Sequence, residues 1–191
     1  MKIESIRIYR VAMPLIYPFR TAFGNDEIIE SVLVQLSSGD NCGWGESACW
    51  RAPAYSPECA ATQFVISRDF IAPRLLNQRI SSGKELQSLI ASIKGNYFAK
   101  AAFDLAWWDL FAKEQNQPLW KVLGGQSSVV SAGADFGVME SVPQLIESIS
   151  QANEQGYERV KLKYRPGWDL SMIKQVRAEF PDTARLFHLT V

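Results

Sequence analysis

Histidine is nearly missing: His188 is the only one in 191 residues. A histidine-rich metal site is thereby excluded, and a Ser/His/Asp triad or Cys/His pair would rest on a residue at the end of the sequence. Cysteine is sparse too. Cys42, Cys49 and Cys59 are odd in number and form no CxxC pair, as expected for buried or idle thiols in a reducing cytoplasm. No apolar run is long enough to span a bilayer, and residues 1–13 lack the apolar core and cleavage site of a secretory leader. No Lys/Arg block occurs, and 20 basic residues balance 20 acidic ones. Nucleic acid and anionic membrane are therefore not expected partners. Zero net charge also leaves little to oppose self-association. Gly43-Trp44-Gly45-Glu46-Ser47 has no serine between its glycines, so it is not a nucleophile elbow. Gly124-Gly125 lacks phosphate-loop spacing.

What is present is a foldable chain, 47% apolar. Ile3, Ile6 and Ile8 are spaced among polar residues and predict a strand over 3–13. Pro14 and Pro18 bracket an extended segment, and 19–24 reads as a loop. Strands over 31–36 and 44–49, joined by Ser37-Ser38-Gly39-Asp40, suggest an antiparallel meander. Helices follow: one opened by Ser56-Pro57 and running to about 76, one over 83–93, and one over 96–114. The pattern then changes. A strand over 129–138 precedes a helix opened by Ser141 with Gln144 three residues on, a capping-box spacing. Gly156 stops that helix. A strand over 159–164, a helix capped by Asp169 and ended by Pro181, and a strand over 185–191 complete the order. Strand-helix-strand-helix-strand with short links predicts a parallel α/β unit.

The sharpest chemical feature is Lys161-Leu162-Lys163 within a predicted parallel strand. The period of two puts both ammonium groups on one face and Val160, Leu162 and Tyr164 on the other. Two like charges side by side depress each other's pKa, and a lysine so depressed can act as a base near neutral pH. The alternative is an edge strand whose lysines face solvent to discourage aggregation.

The run Lys161–Asp169, KLKYRPGWD, occurs with Pro18-Phe19-Arg20-Thr21-Ala22-Phe23-Gly24, Gly43-Trp44-Gly45-Glu46 and Ala52-Pro53-Ala54-Tyr55. Together these resemble the o-succinylbenzoate synthase and N-acylamino acid racemase branch of the enolase superfamily, over nearly the whole chain. The resemblance implies an α+β capping domain, residues 1–125, followed by an incomplete (β/α) barrel of about three parallel strands, residues 126–191. It implies magnesium, held by carboxylates on later barrel strands and stabilising an enediolate formed from a small-molecule carboxylate substrate. Lys163 would take or return the α-proton, with Lys161 in support. Phe19, Phe23, Trp50 and Tyr55 would wall the substrate pocket; packing between cap and barrel is the alternative for these aromatics. Asp135, a further substrate-side candidate, stands where the resemblance leads one to expect a small hydroxyl residue.

The end of the sequence departs from that pattern. The third barrel strand of the family ends in Asp-Ala-Asn, whose Asp is the first metal ligand; here Leu189 falls at that Asp. No metal ligand is therefore assigned, and tight magnesium binding by this chain is not expected. A full barrel takes roughly 250 residues, far more than follow Gly125. The expectation is an N-terminal fragment of a lyase or racemase, cut short by truncation, frameshift or choice of boundaries and inactive alone. The alternatives are a non-catalytic remnant that binds a partner or itself, and one half of a split enzyme.

Overall fold

The computed structural model describes residues 1–21, 24–164, 167–181 and 184–188. They form two compact units: residues 1–15 with 28–126, and residues 16–27 with 127–191. The segment 16–27, inside the expected capping stretch of 1–125, thus groups with the second unit.

The first unit is built on β1 (Ser5–Thr21), β2 (Gly24–Ser38) and β3 (Asn41–Cys49), in the order β1-β2-β3. The far ends of β1 and β2 belong to the segment that groups with the second unit. The β2–β3 pair is antiparallel, from Glu30↔Cys49 to Ser38↔Asn41. β1 is longer than expected and runs through Pro14 and Pro18, so Phe19 is a strand residue. Its place at the sheet edge explains this, because an edge position leaves a missing N–H without consequence.

Helix α1 (Ala60–Ile66) starts later than Ser56-Pro57 suggested. The Ser56 hydroxyl is engaged locally, donating to Glu58 O at 2.9 Å and accepting from Glu58 N. Cys59 is the actual N-cap, and its N–H donates to Thr62 Oγ1 at 3.0 Å. A π-helical turn, Ser67–Ile71, links α1 to α2 (Ala72–Leu75). Helix α3 (Gly83–Ile90) is capped by Ser82, and α4 (Tyr97–Glu114) is the central helix. The short α5 (Leu119–Val122) follows.

Gly43 and Gly45 let α4 lie directly against β3. A Cβ on Gly45 would strike Ala102 O and stand 2.6 Å from Ala106 N; one on Gly43 would strike Ala106 O and Leu110 N. Ala102, Ala106 and Leu110 recur every four residues and so share one helix face. The glycines of the Gly-Trp-Gly motif therefore serve packing. Around this contact lie buried Val34, Leu36, Phe103, Trp107 and Leu110, joined by Ile71, Leu75, Leu86 and Ile90. The N-terminus of α4 is satisfied from a distance: the buried Glu58 carboxylate accepts from Phe98 N at 3.1 Å and Ala99 N at 3.2 Å. A carboxylate there answers both the orphan donors and the helix dipole.

The second unit contains β4 (Gly133–Phe136), α6 (Val142–Glu154), β5 (Arg159–Lys163), α7 (Asp169–Glu179) and β6 (Ala184–His188). The strands are parallel in the order β4-β5-β6. β4 is shorter than the expected 129–138, because its ladder with β5 spans only Gly133↔Arg159 to Phe136↔Leu162. Val129 and Val130 are 79% and 84% exposed, and the Ser127 hydroxyl bonds locally to the backbone of Val129. Asp169 is the first residue of α7, not its cap, which is Trp168. The expected continuation of β6 to 191 lies outside the described residues. The apolar face of β5, Val160, Leu162 and Tyr164, is buried with Leu145 and Ile149 of α6 and Met172 and Val176 of α7. No helix among the described residues is long and apolar enough to cross a membrane.

Candidate active site

The lysine strand forms because its two faces have different fates. Val160 and Leu162 are buried beneath α6 and α7, so the alternation turns Lys161 and Lys163 to the opposite face, where both are half-buried. Lys161 Nζ donates to Asp135 Oδ2 at 2.9 Å. Register explains the meeting, since Asp135 is the direct partner of Lys161 across β4 and β5. The side chains are 34% and 51% exposed, respectively, which limits this pair to at most about 1 kcal/mol of stability.

Lys163 lies one step further along. Its ammonium is 3.9 Å from the centroid of the Phe19 ring, a cation–π contact within the second unit. Its pKa is held below the usual lysine value, chiefly by burial. Asp135 opposes this by favouring the charged form, and the positive charge of Lys161 adds to the depression. The like-charge effect expected from the sequence is thus present but secondary to desolvation. Beside Phe19, Arg20 Nη1 pairs with Glu140 Oε1 at 3.1 Å. This contact spans 120 residues of sequence, and no local pattern announces it.

Of the remaining candidates, Trp50 and Tyr55 belong to the first unit and stack on each other, with centroids 5.8 Å apart and planes at 16°. Trp50 is half-buried and Tyr55 is 62% exposed. Next to them, Arg51 Nε lies 3.4 Å from Glu30 Oε1. Arg10 Nη2 holds the other oxygen of Glu30 at 2.7 Å. This Arg10–Glu30–Arg51 group was not visible in the sequence, and alternation along β1 and β2 is the only signal that bears on it. Phe23 lies outside the described residues, as does Leu189.

Among the described residues, no group of three or more His, Cys, Asp or Glu side chains is arranged to hold a metal ion. The donor set among the described residues does not fit magnesium.

Residues 3–124 match the family of the mandelate racemase / muconate lactonizing enzyme N-terminal domain. The o-succinylbenzoate synthase of Geobacillus kaustophilus is 37% identical over 183 residues, covering 95% of this chain and 49% of the relative. The N-succinylamino acid racemase of Thermus thermophilus is 34% identical, with 95% and 49% covered. A solved structure of an enolase-superfamily member from Listeria innocua superposes with a TM-score of 0.89 at 31% identity, over 97% of this chain and 50% of that one. The chain spans about half the length of the curated relatives it matches. It belongs to the mandelate racemase / muconate lactonizing enzyme family of the enolase superfamily and carries that family's N-terminal capping domain.

Proposed function

We propose that this chain supplies the capping domain and the lysine-bearing strand of an enzyme that moves a proton at the carbon next to a carboxylate. The reactions in view are o-succinylbenzoate-forming dehydration and N-succinylamino acid racemisation. The observation that carries the reading is the half-buried Lys163, its pKa lowered, beside a charged Lys161 paired with Asp135. A lysine so placed is neutral in a larger fraction of molecules at a given pH than an ordinary lysine. Its Nζ can then accept the α-proton and return it. Lys161, paired with Asp135, offers positive charge to the substrate carboxylate and to the charge that develops on proton loss. Phe19 excludes water from Lys163 on one side.

In this reading β4, α6, β5, α7 and β6 are the opening of a (β/α) barrel, and the domain boundary falls near residue 126. The structural match to the Listeria innocua protein over 97% of this chain supports the first statement, and the grouping of residues 127–191 apart from 28–126 supports the second. Metal ligation, and with it magnesium dependence, would belong to residues other than those described here.

A chimera tests the assignment. Residues 1–186 are joined to the C-terminal half of the Geobacillus kaustophilus relative and assayed with magnesium for both reactions. Turnover is expected, with a loss of 100-fold or more on Lys163→Ala, consistent with the 10²–10⁴-fold typical of a general base. A folded chimera whose activity survives Lys163→Ala would overturn the role given to this residue. The 191-residue chain assayed alone is expected to show no turnover.

A further inference from the structure

The inner face of β3 and one face of α1 run past each other in the first unit. Ser47 Oγ hydrogen-bonds to Gln63 Oε1. A little further on, Ala60 N donates to Trp50 O at 3.3 Å. These two contacts fix an antiparallel alignment, with sequence rising along the strand as it falls along the helix. Two residues on from Ser47, on the same strand face, is Cys49, and Cys49 and the N-cap Cys59 directly precede Trp50 and Ala60, the two residues joined by that backbone bond. Both cysteines are buried and neither is in a disulfide. Negative charge on Cys59 raises the Cys49 pKa, which places the two thiols within electrostatic reach.

We propose that Cys49 and Cys59 are a modification site, a dithiol that a peroxide converts to a reversible disulfide.

The two thiols differ in the way such a reaction needs. Thr62, through its backbone and side chain, hydrogen-bonds Cys59 and holds its pKa below the usual 9.0. Burial, followed by repulsion from Cys59, pushes Cys49 up to about 11. Cys59 is therefore the thiolate that attacks. Its sulfur takes one oxygen of hydrogen peroxide, the O–O bond breaks, and the product is a sulfenic acid with release of hydroxide, which is protonated to water. The sulfenic acid is neutral, so its repulsion of a Cys49 thiolate disappears. Cys49 gives its proton to water and attacks the Cys59 sulfur. The S–O bond breaks, and hydroxide leaves and is protonated. Two thiols and one peroxide give one disulfide and two waters, and a thiol reductant reverses the change by exchange. The bond would tie together the ends of the segment that carries the Trp50–Tyr55 stack and Arg51.

The test uses the native chain. It is treated with a small excess of hydrogen peroxide, remaining thiols are alkylated, and the protein is digested with trypsin without reductant. Trypsin cuts after Arg51, so Cys49 and Cys59 fall on separate peptides. The expected product is one cross-linked pair, Cys49 with Cys59, which reductant separates. Cys42, the more exposed thiol, stays alkylatable, so the reactivity order runs against exposure. In Cys59→Ser, Cys49 is expected to remain alkylatable; should that variant fail to fold, the native map decides alone. A map in which Cys49 and Cys59 both stay free, or in which Cys42 is the thiol oxidised, overturns the proposal.

Discussion

The Lys163 ammonium and the Phe19 ring face each other at 3.9 Å. The ring has two opposed effects on that lysine. Its bulk removes water and favours the neutral amine, while its π-face attracts the ammonium and favours the charged form. Burial is the largest influence on Lys163, and the net shift is downward.

Phe19→Leu separates the two effects, because leucine retains apolar cover and removes the π-face. The Lys163 titration midpoint is therefore expected to fall further below the ordinary lysine value. Asp135→Asn is expected to move it in the same direction, since among the described residues Asp135 is the charge that raises it. In both variants the neutral base is populated at lower pH. The rising limb of any Lys163-dependent rate then shifts to lower pH. A ¹³C-detected titration of the lysine ε-methylenes, with Lys163 assigned by Lys163→Arg, reads this out. An upward shift in either variant would contradict the assignment of causes.

Glu58 offers a test in the first unit. It is buried, and its two carboxylate oxygens take the Phe98 and Ala99 N–H groups of α4. Glu58→Ala strands two donors at the start of the central helix and is expected to cost about 2 kcal/mol or more. Glu58→Gln keeps one acceptor oxygen and should cost roughly half as much. Urea denaturation midpoints measure both, and equal stability of Glu58→Ala and the unmodified chain would remove Glu58 from this role.

Much of the architecture could be read from the sequence because it is written in local periodicity. The α4 helix and the lysine strand β5 are long or regular enough for their faces to show. The Asp135–Lys161 pair was within reach too, since parallel register places the two residues opposite each other. Some of what escaped is local competition for a side chain, and the rest depends on distant partners. Ser56-Pro57 has the form of a helix start, yet Ser56 bonds to the Glu58 backbone and the helix waits for Cys59. The strand expected over 3–13 stops short of Pro14, and the extended segment between Pro14 and Pro18 is not joined to it, because only the sheet order reveals that β1 is an edge. The Glu58 cap and the Arg20–Glu140 pair join residues 40 or more positions apart, and no window of sequence contains both ends.

The Gly43-Trp44-Gly45 motif carries a sharper stability prediction. Gly45 faces the α4 backbone at Ala102 and Ala106, and backbone cannot swing aside as a side-chain tip can. Gly45→Ala is expected to destabilise the first unit by about 1–3 kcal/mol or more through forced separation of β3 and α4. Gly39→Ala is a useful contrast. Its added Cβ meets nothing within 4 Å, but its φ of +53° favours glycine, so a smaller loss of about 1 kcal/mol is expected from backbone strain alone. Thermal melts of the two variants side by side should rank Gly45→Ala as the more damaging; the reverse order would mean that helix and strand are not in the close contact described.

The second unit predicts association. Its parallel sheet has β4 and β6 at its edges among the described residues, and parallel sheets are normally bounded and covered on both faces. Unpaired edge groups recruit other strands, and zero formal net charge gives little long-range repulsion. Lys161 and Lys163 make their face of the sheet a poor apolar contact, so joining through strand edges or outer helical surfaces is favoured over stacking of the lysine faces. The purified 191-residue chain is therefore expected to run as a dimer or larger species at micromolar concentration, with the mass rising on concentration. Light scattering during size-exclusion chromatography measures this directly. If the edges are responsible, Leu186→Pro should reduce association without altering the first unit, because it removes an N–H from β6. A monomer at every concentration, with one cooperative melt, would show that the edges are closed within a single chain.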